Sequence, residues 1–281
     1  MNDPIPAVKL PPNLLPHVCQ LFVKNLSKPD VLKSEIVAYI RSASIRRNPP
    51  SEKNAFRAVT LPSLRHLGLI EGKWPDIHPT ADMVELVRAF DEGSSQGKRI
   101  LGRIVASLDM KGPGLIDSVK QIHPEANTDN LVRLFAKKLG ASSEKEFREL
   151  QDRTNRWIGY LRFVEIVSDT NGLKLNQTVL QLDINRRALS MSQQEFLQLL
   201  SQKYKELRRG SPDITYVPIP LIRDAVCLAK PGMLSDDFYE MLREAKNRNH
   251  VRMLLSEPMT RQEGGLRLGD KYYYYISLYE Q

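Results

Sequence analysis

The chain has 281 residues, of which 41% are apolar and 26% charged. That is enough apolar material for the cores of two or three domains. The net charge is +8 and the pI about 9.4, which fits a polyanionic partner, and the cationic surplus is spread along the chain rather than gathered in a basic tail. No apolar run approaches the roughly 20 residues that span a bilayer. The proline-rich residues 1–12 lack the cationic-then-apolar order of a signal peptide. Cys19 and Cys227 lie far apart, each in an apolar helical pattern, and read as buried free thiols in a reducing compartment.

In chain order, Leu14, Leu15, Val18, Cys19, Phe22 and Leu26 recur at steps of three and four, which predicts a helix over 13–26. Leu32, Ile36, Val37 and Ile40 predict a second helix over 31–44, followed by the basic turn Arg46-Arg47-Asn48-Pro49-Pro50. Ser51 is the expected N-cap of a third helix over 51–59. Thr60-Leu61-Pro62 restarts it, since proline is tolerated in a first helical turn. This helix closes on Leu67-Gly68-Leu69-Ile70, with Gly68 as a left-handed cap and Leu69-Ile70 opening a short hairpin that ends at Pro79. Thr80 caps a helix over 81–90.

Residues 93–97, Gly-Ser-Ser-Gln-Gly, read as a linker. Helices are then expected over 98–108, 115–122, 130–139 and 144–160. The last hands over through Val164–Val167 to a hairpin turned by Asn171-Gly172. Residues 181–189 connect to a helix running from Ser192 to about Arg209, with Ser192 and Glu195 as a capping pair. A short extended stretch at 217–219 leads into helices over 220–229 and 235–249. Strands at 251–255 and 272–278 flank a glycine-rich, charged loop over 260–271.

One order therefore occurs three times: helices, a final helix, then a two-stranded hairpin. It resembles the winged helix-turn-helix superfamily, on the strength of the element order, the Leu-Gly-Leu-Ile sequence and the C-terminal hairpin. The resemblance implies a mainly α fold with short β-hairpins (α+β) and three tandem winged-helix units. These cover residues 1–94, 95–189 (with an inserted helix near 128–140) and 190–281. The plan is similar to the recognition region of FokI-like restriction endonucleases, without a cleavage domain.

Many proteins of that superfamily bind double-stranded DNA through a helix that fits the major groove, with the wing on the backbone. The residue types that can do so form three clusters. In the first unit they are Arg46, Arg47, Lys53, Asn54, Arg57 and Arg65. In the second they are Lys137, Lys138, Arg153 and Arg156. In the third they are Lys246 and Arg248 on the last helix and Arg261, Arg267 and Lys271 on the wing. The last helix of the third unit opens on Asp236, Asp237 and Glu240, which repel phosphate where a helix-turn-helix normally enters the groove. In the Tyr272–Tyr275 run, strand alternation places two rings inward and two outward.

The chain carries no Walker A or GxGxxG sequence, no HExxH and no paired CxxC, so neither a metal nor a cofactor is specified. Asp213 with Glu244 and Lys246 superficially fits a PD…ExK nuclease pattern, but the Glu and Lys fall in a helical stretch. The expectation is a non-catalytic, cytoplasmic, nucleoid-associated DNA-binding protein. It would be regulatory, or a subunit of a DNA-processing or genome-defence system beside an ATPase or nuclease. The alternative is an interaction scaffold of such a complex, with the third unit docking a partner or a second copy.

Overall fold

The computed structural model describes residues 5–43, 51–112, 114–122, 126–168, 172–176, 191–209, 216–255 and 265–278. Over these the protein is mainly helical with small antiparallel sheets, an α+β composition. Contacts divide it into two compact units. One is Met1–Pro79 with Leu86–Asn185, and the other is Thr80–Glu85 with Arg186–Gln281.

The first unit opens with an extended segment held by Ser63, whose hydroxyl accepts the Lys9 and Leu10 amides at 2.8 and 2.9 Å. Helix α1 (Leu15–Asn25) buries Leu15, Val18, Cys19 and Phe22 of its expected stripe but leaves Leu26 exposed beyond its end, and α2 (Pro29–Ser42) buries all of its own. The next helix departs from the sequence expectation. Instead of ending at Val59 and restarting, it runs on as α3, residues 54–66, from Asn54–Thr60 into Leu61–His66. Its first part is wound wider, with the Leu61 amide bonded to the Phe56 carbonyl. The cause is Pro62, whose ring would strike the carbonyl four residues back in an α-helical turn. A wider turn relieves that clash. Thr60 is accordingly no cap, because its hydroxyl donates to the Ala55 carbonyl at 2.8 Å.

Gly68 ends α3 in the expected left-handed conformation, at φ +68. Its amide bonds the Arg65 carbonyl and that of Leu69 bonds Leu64, the pair of bonds that closes a Schellman cap. β1 (Ile70–Lys73) and β2 (Asp76–Pro79) form the hairpin, with Gly72 opposite Ile77 and Lys73 opposite Asp76.

The glycine-rich stretch at 93–97 is not a loop. α4 (Ala81–Glu92) is followed at once by α5 (Ser94–Lys111), and Gly97 lies against the Phe90 ring so closely that a Cβ would overlap it. Here glycine serves close approach, not flexibility. α6 (Leu115–Ile122), α7 (Thr128–Leu139) and α8 (Glu144–Phe163) follow. Asp109, fully buried, organises them. Its carboxylate accepts the Trp157 indole N–H and the Ile116 amide, each at 2.8 Å. Burial raises its pKa above the ordinary carboxylate range against those bonds. Strands β3 (Val167–Ser168) and β4 (Lys174–Leu175) pair antiparallel, and the Leu173 amide reaches the Ala126 carbonyl at 2.7 Å. The buried Tyr160 hydroxyl donates to the Leu10 carbonyl at 2.8 Å, so the last helix of this part is tied to the N-terminal segment.

The second unit is built from α9 (Gln193–Arg209), β5 (Val217–Pro218), α10 (Ile219–Ala229), α11 (Ser235–Asn247), β6 (Val251–Leu255), β7 (Leu266–Leu268) and β8 (Lys271–Leu278). Ser192 and Glu195 cap α9 reciprocally, as the sequence predicts. The sheet order is β5-β8-β6, with β7 also on β8. Part of the expected loop at 260–271 is thus strand: Leu266 is buried and pairs with Tyr273. Phe196, Leu200, Ile222, Phe238, Leu242, Val251 and Ile276 fill the core.

The tyrosine run does not alternate as expected, since Tyr272 to Tyr275 are all half-buried. Leu254 faces Tyr275 while Leu255 faces Tyr273, so Tyr274 is an extra residue in the ladder. Such a bulge breaks the period of two. It explains why Tyr273 and Ile276, three apart, both meet the core.

Two glycines, one capping α3 and one in the first hairpin, give a graded test. Gly68→Ala meets nothing within 4 Å and carries only the left-handed penalty of about 1–2 kcal/mol. Gly72 has φ +86, and a Cβ there runs into the Asp76 carbonyl, adding about 1–3 kcal/mol of overpacking. Denaturant titration should rank wild type above Gly68→Ala and both above Gly72→Ala; equal losses would show that the hairpin tolerates a side chain at 72.

Candidate nucleic-acid interface

The first cluster centres on α3. Lys53, Asn54 and Arg57 are exposed on the outer face of α3. Neither Lys53 nor Arg57 has an ion pair or hydrogen-bond partner among the described residues. The inner face holds Ala55, Phe56, Leu61 and Leu64, all buried. Burial of that stripe turns the cations outward. Arg65 is exposed but partly committed: one guanidinium nitrogen donates to the Gly72 carbonyl at 2.8 Å. It fastens α3 to the hairpin. Trp74, at the hairpin turn, meets Phe56 edge to face with centroids 4.8 Å apart. Lys73 of the hairpin, next to Trp74 in sequence, is exposed. Lys73 was not among the residues selected from sequence; its place depends on the seating of the hairpin, which no local pattern reveals. Lys33 is spent on Glu52 at 2.6 Å and holds that carboxyl below its ordinary range through its hydrogen bond and charge. Arg46 and Arg47 lie outside the described residues.

The arginines of the second cluster are neutralised on their own helix. Along α8, Arg148 pairs with Glu144, Arg153 with Glu149 at 2.6 Å, and Arg156 with Asp152. Each acid precedes its arginine by four residues, the favourable orientation for a helical pair. Lys137 and Lys138 are exposed in the last turn of α7, where cations complement the helix dipole. The Lys138 ammonium lies 5.5 Å from the Phe135 ring centroid.

The third cluster is divided. Lys246 is half-buried, and Arg248 is exposed but bonded to Glu244. Arg267 is exposed on β7 and Lys271 opens β8; Arg261 lies outside the described residues. The entry of α11 is taken by carboxylates. Asp82 accepts the Ser235 amide and hydroxyl at 2.8 and 3.0 Å. Glu85 accepts the Gly232 amide at 3.0 Å, and Asp237 that of Leu234 at 2.8 Å. The acidic residues read from the sequence as repelling phosphate are thus joined by two more, brought from residues 80–85.

Among the described residues no group of three His, Cys, Asp or Glu side chains is arranged to hold a metal ion. Glu244 and Lys246 lie within α11, not on the strand a PD…ExK site requires; Asp213 lies outside the described residues. Cys19 and Cys227 are buried free thiols, and burial pushes both well above the ordinary thiol range. No helix among the described residues is long and apolar enough to cross a membrane. No family model matches the chain, and neither a curated protein nor a solved structure is similar to it.

Asp82 gives a pH test. Its carboxyl is enclosed although the residue keeps some exposed surface, and burial pushes its pKa from the ordinary 3.8 up to about 6, opposed by the bonds from Ser235. The folded state then keeps a proton that the unfolded chain releases, so this group's contribution to stability falls as pH rises through that window. Asp82→Asn keeps an acceptor for Ser235 without the charge. Its stability relative to wild type should rise between pH 4 and pH 6 and then level off; a difference independent of pH would contradict the burial of a charge there.

Proposed function

We propose that this is a non-catalytic DNA-binding protein that grips duplex DNA with α3 and the hairpin beside it. The observation that carries the reading is the contrast in cation pairing. Lys53 and Arg57 stand exposed without partners among the described residues, whereas Arg148, Arg153 and Arg156 of α8 are each matched to a carboxylate. An unpaired cation exchanges condensed counterions for itself on DNA; a paired one must first give up its partner.

The element orders support a winged-helix reading. α9-β5-α10-α11-β6-β8, with the first strand beside the last, is the order of a winged helix. α6, Ala126, α7, α8, β3 and β4 follow it element for element, with the Ala126–Leu173 bond in the place of the first strand pair. On that reading α7 is an integral helix of the second unit rather than an insertion, and α5 is the addition. α1, α2, α3 and the β1–β2 hairpin supply the first. Three units over 1–94, 95–189 and 190–281 are then proposed, the first two sharing one compact body. Such a chain suits a regulatory, nucleoid-associated role in the cytoplasm, or a DNA-holding subunit beside an ATPase or nuclease in a DNA-processing or genome-defence system.

A second reading applies to the C-terminal unit, where the carboxylates at the α11 entry disfavour DNA. Leu221 and Leu228 are more than half exposed, seven residues apart on α10, and Leu255 is equally exposed on β6. This supports docking of a protein or a second copy by that unit.

Binding of duplex oligonucleotides by the full chain, followed by fluorescence anisotropy across a salt series, tests the first reading. Wild type should lose affinity steeply with salt. Lys53→Ala/Arg57→Ala should reduce the slope of log affinity against log salt by about 2, whatever the DNA sequence. Arg148→Ala/Arg153→Ala should change it by less than about 1. No binding at about 50 mM salt, where such contacts are strong, would remove the reading. Sedimentation of the full chain with Leu221→Glu/Leu228→Glu tests the second: a self-association that these changes abolish is expected if that face pairs with a copy. A fragment beginning at 190 is unsuited, because it lacks Ala81, Asp82 and Glu85 of the C-terminal unit.

A further inference from the structure

The hairpin beside α3 ends on an aromatic residue that duplex binding alone leaves without a task. Trp74 is half-buried, between the exposed Lys73 and the exposed Pro75. Its only ring contact among the described residues is edge to face with Phe56, at 78° between planes. In such a contact one partner offers an edge, so Phe56 covers at most one face of the indole. Phe56 itself is fully buried, and Arg65 holds the adjoining strand through the Gly72 carbonyl. The indole is therefore mounted on a fixed base, with Lys73 next to it in the chain.

We propose that Trp74 stacks on an unpaired or terminal base, so that the α3–hairpin surface prefers a junction of double- and single-stranded DNA to uninterrupted duplex. This rests on the DNA-binding reading above and names its substrate. In a closed duplex every base face is stacked inside the helix, and an indole reaches only groove edges and sugars. At a duplex end or junction one base face is free. Stacking on it is worth about 1–3 kcal/mol per base and tolerates any sequence. Lys53 and Arg57 then hold phosphates of the paired part, while Lys73 meets the strand that leaves it. The edge contact with Phe56 limits rotation of the indole, so little side-chain freedom is lost when a base arrives.

The test compares two DNA probes of equal duplex length. One is a dumbbell whose two hairpin linkers are flat aromatic groups stacked on the terminal base pairs, so that no base face is free, and the other is a duplex with a single-stranded tail at one end. Affinities are measured by competition against a labelled oligonucleotide. Wild type should bind the tailed probe about tenfold more tightly or better. Trp74→Phe keeps a stacking face and should retain most of that preference. Trp74→Leu keeps an apolar side chain without a π face and should bring the ratio of the two affinities close to one. In a Trp157→Phe background Trp74 is the remaining tryptophan, and its emission should be quenched by the tailed probe and much less by the dumbbell. Should Trp157→Phe fold poorly, the same comparison in wild type serves, because Trp157 is fully buried and contributes a constant background. Binding of both probes with equal affinity, or a preference that survives Trp74→Leu, overturns the stacking proposal and leaves duplex binding intact. Binding of neither probe overturns the DNA-binding reading as well.

Discussion

The contact between Phe56 and Trp74 couples the first unit's core to its surface. Phe56 is on the buried stripe of α3, and its ring meets the tip of the β1–β2 hairpin. That contact and the Arg65–Gly72 bond decide where the hairpin lies, and hence which side chains face outward together. Pro62 enters the same constraint. The proline would have ended the helix; the widened turn before it lets the helix continue while keeping Ala55, Phe56 and Thr60 inside. Lys53, Asn54 and Arg57 are outside because those three are not.

Charge is distributed by the same local rules, with opposite consequences elsewhere. In α8 Arg148, Arg153 and Arg156 each follow an acid by four residues, and the helix closes the pairs on itself. At the α11 entry, where backbone amides attract anions, the Leu234 and Ser235 amides are already bonded to Asp237 and Asp82, and Glu85 holds the Gly232 amide just before them. A net charge of +8 is therefore a poor guide to where a polyanion settles. The pairing of each cation decides more than the number of cations.

Much of the fold was legible in short-range chemistry. Gly68 as a left-handed cap, the Ser192–Glu195 pair, the apolar stripes of α1 and α2 and the helix-then-hairpin order all arise from residues within a few positions of each other. The features that escaped depend on distant partners or on competition between signals. Gly97 read as a linker residue because the Phe90 ring packed on it is set by tertiary structure. Strand β7 was hidden in a glycine-rich stretch, since its pairing with Tyr273 comes from the sheet. The bulge at Tyr274 overrode simple alternation, and Pro62 was read as a restart because a wider turn leaves no sequence mark. At the candidate interface the residue types were legible, but their pairing was only partly so. The acids four positions before the arginines of α8 were visible in sequence, whereas Asp82 and Glu85 at the α11 entry were not.

The claim that α3 and its hairpin form the DNA contact is tested most directly by hydrogen–deuterium exchange of the full chain with and without a saturating duplex oligonucleotide. The account expects added protection in peptides covering residues 51–66 and 70–79, with α8 over 144–163 and α11 over 235–247 unchanged. Protection confined to α8 or α11, with 51–79 unaffected, would contradict it.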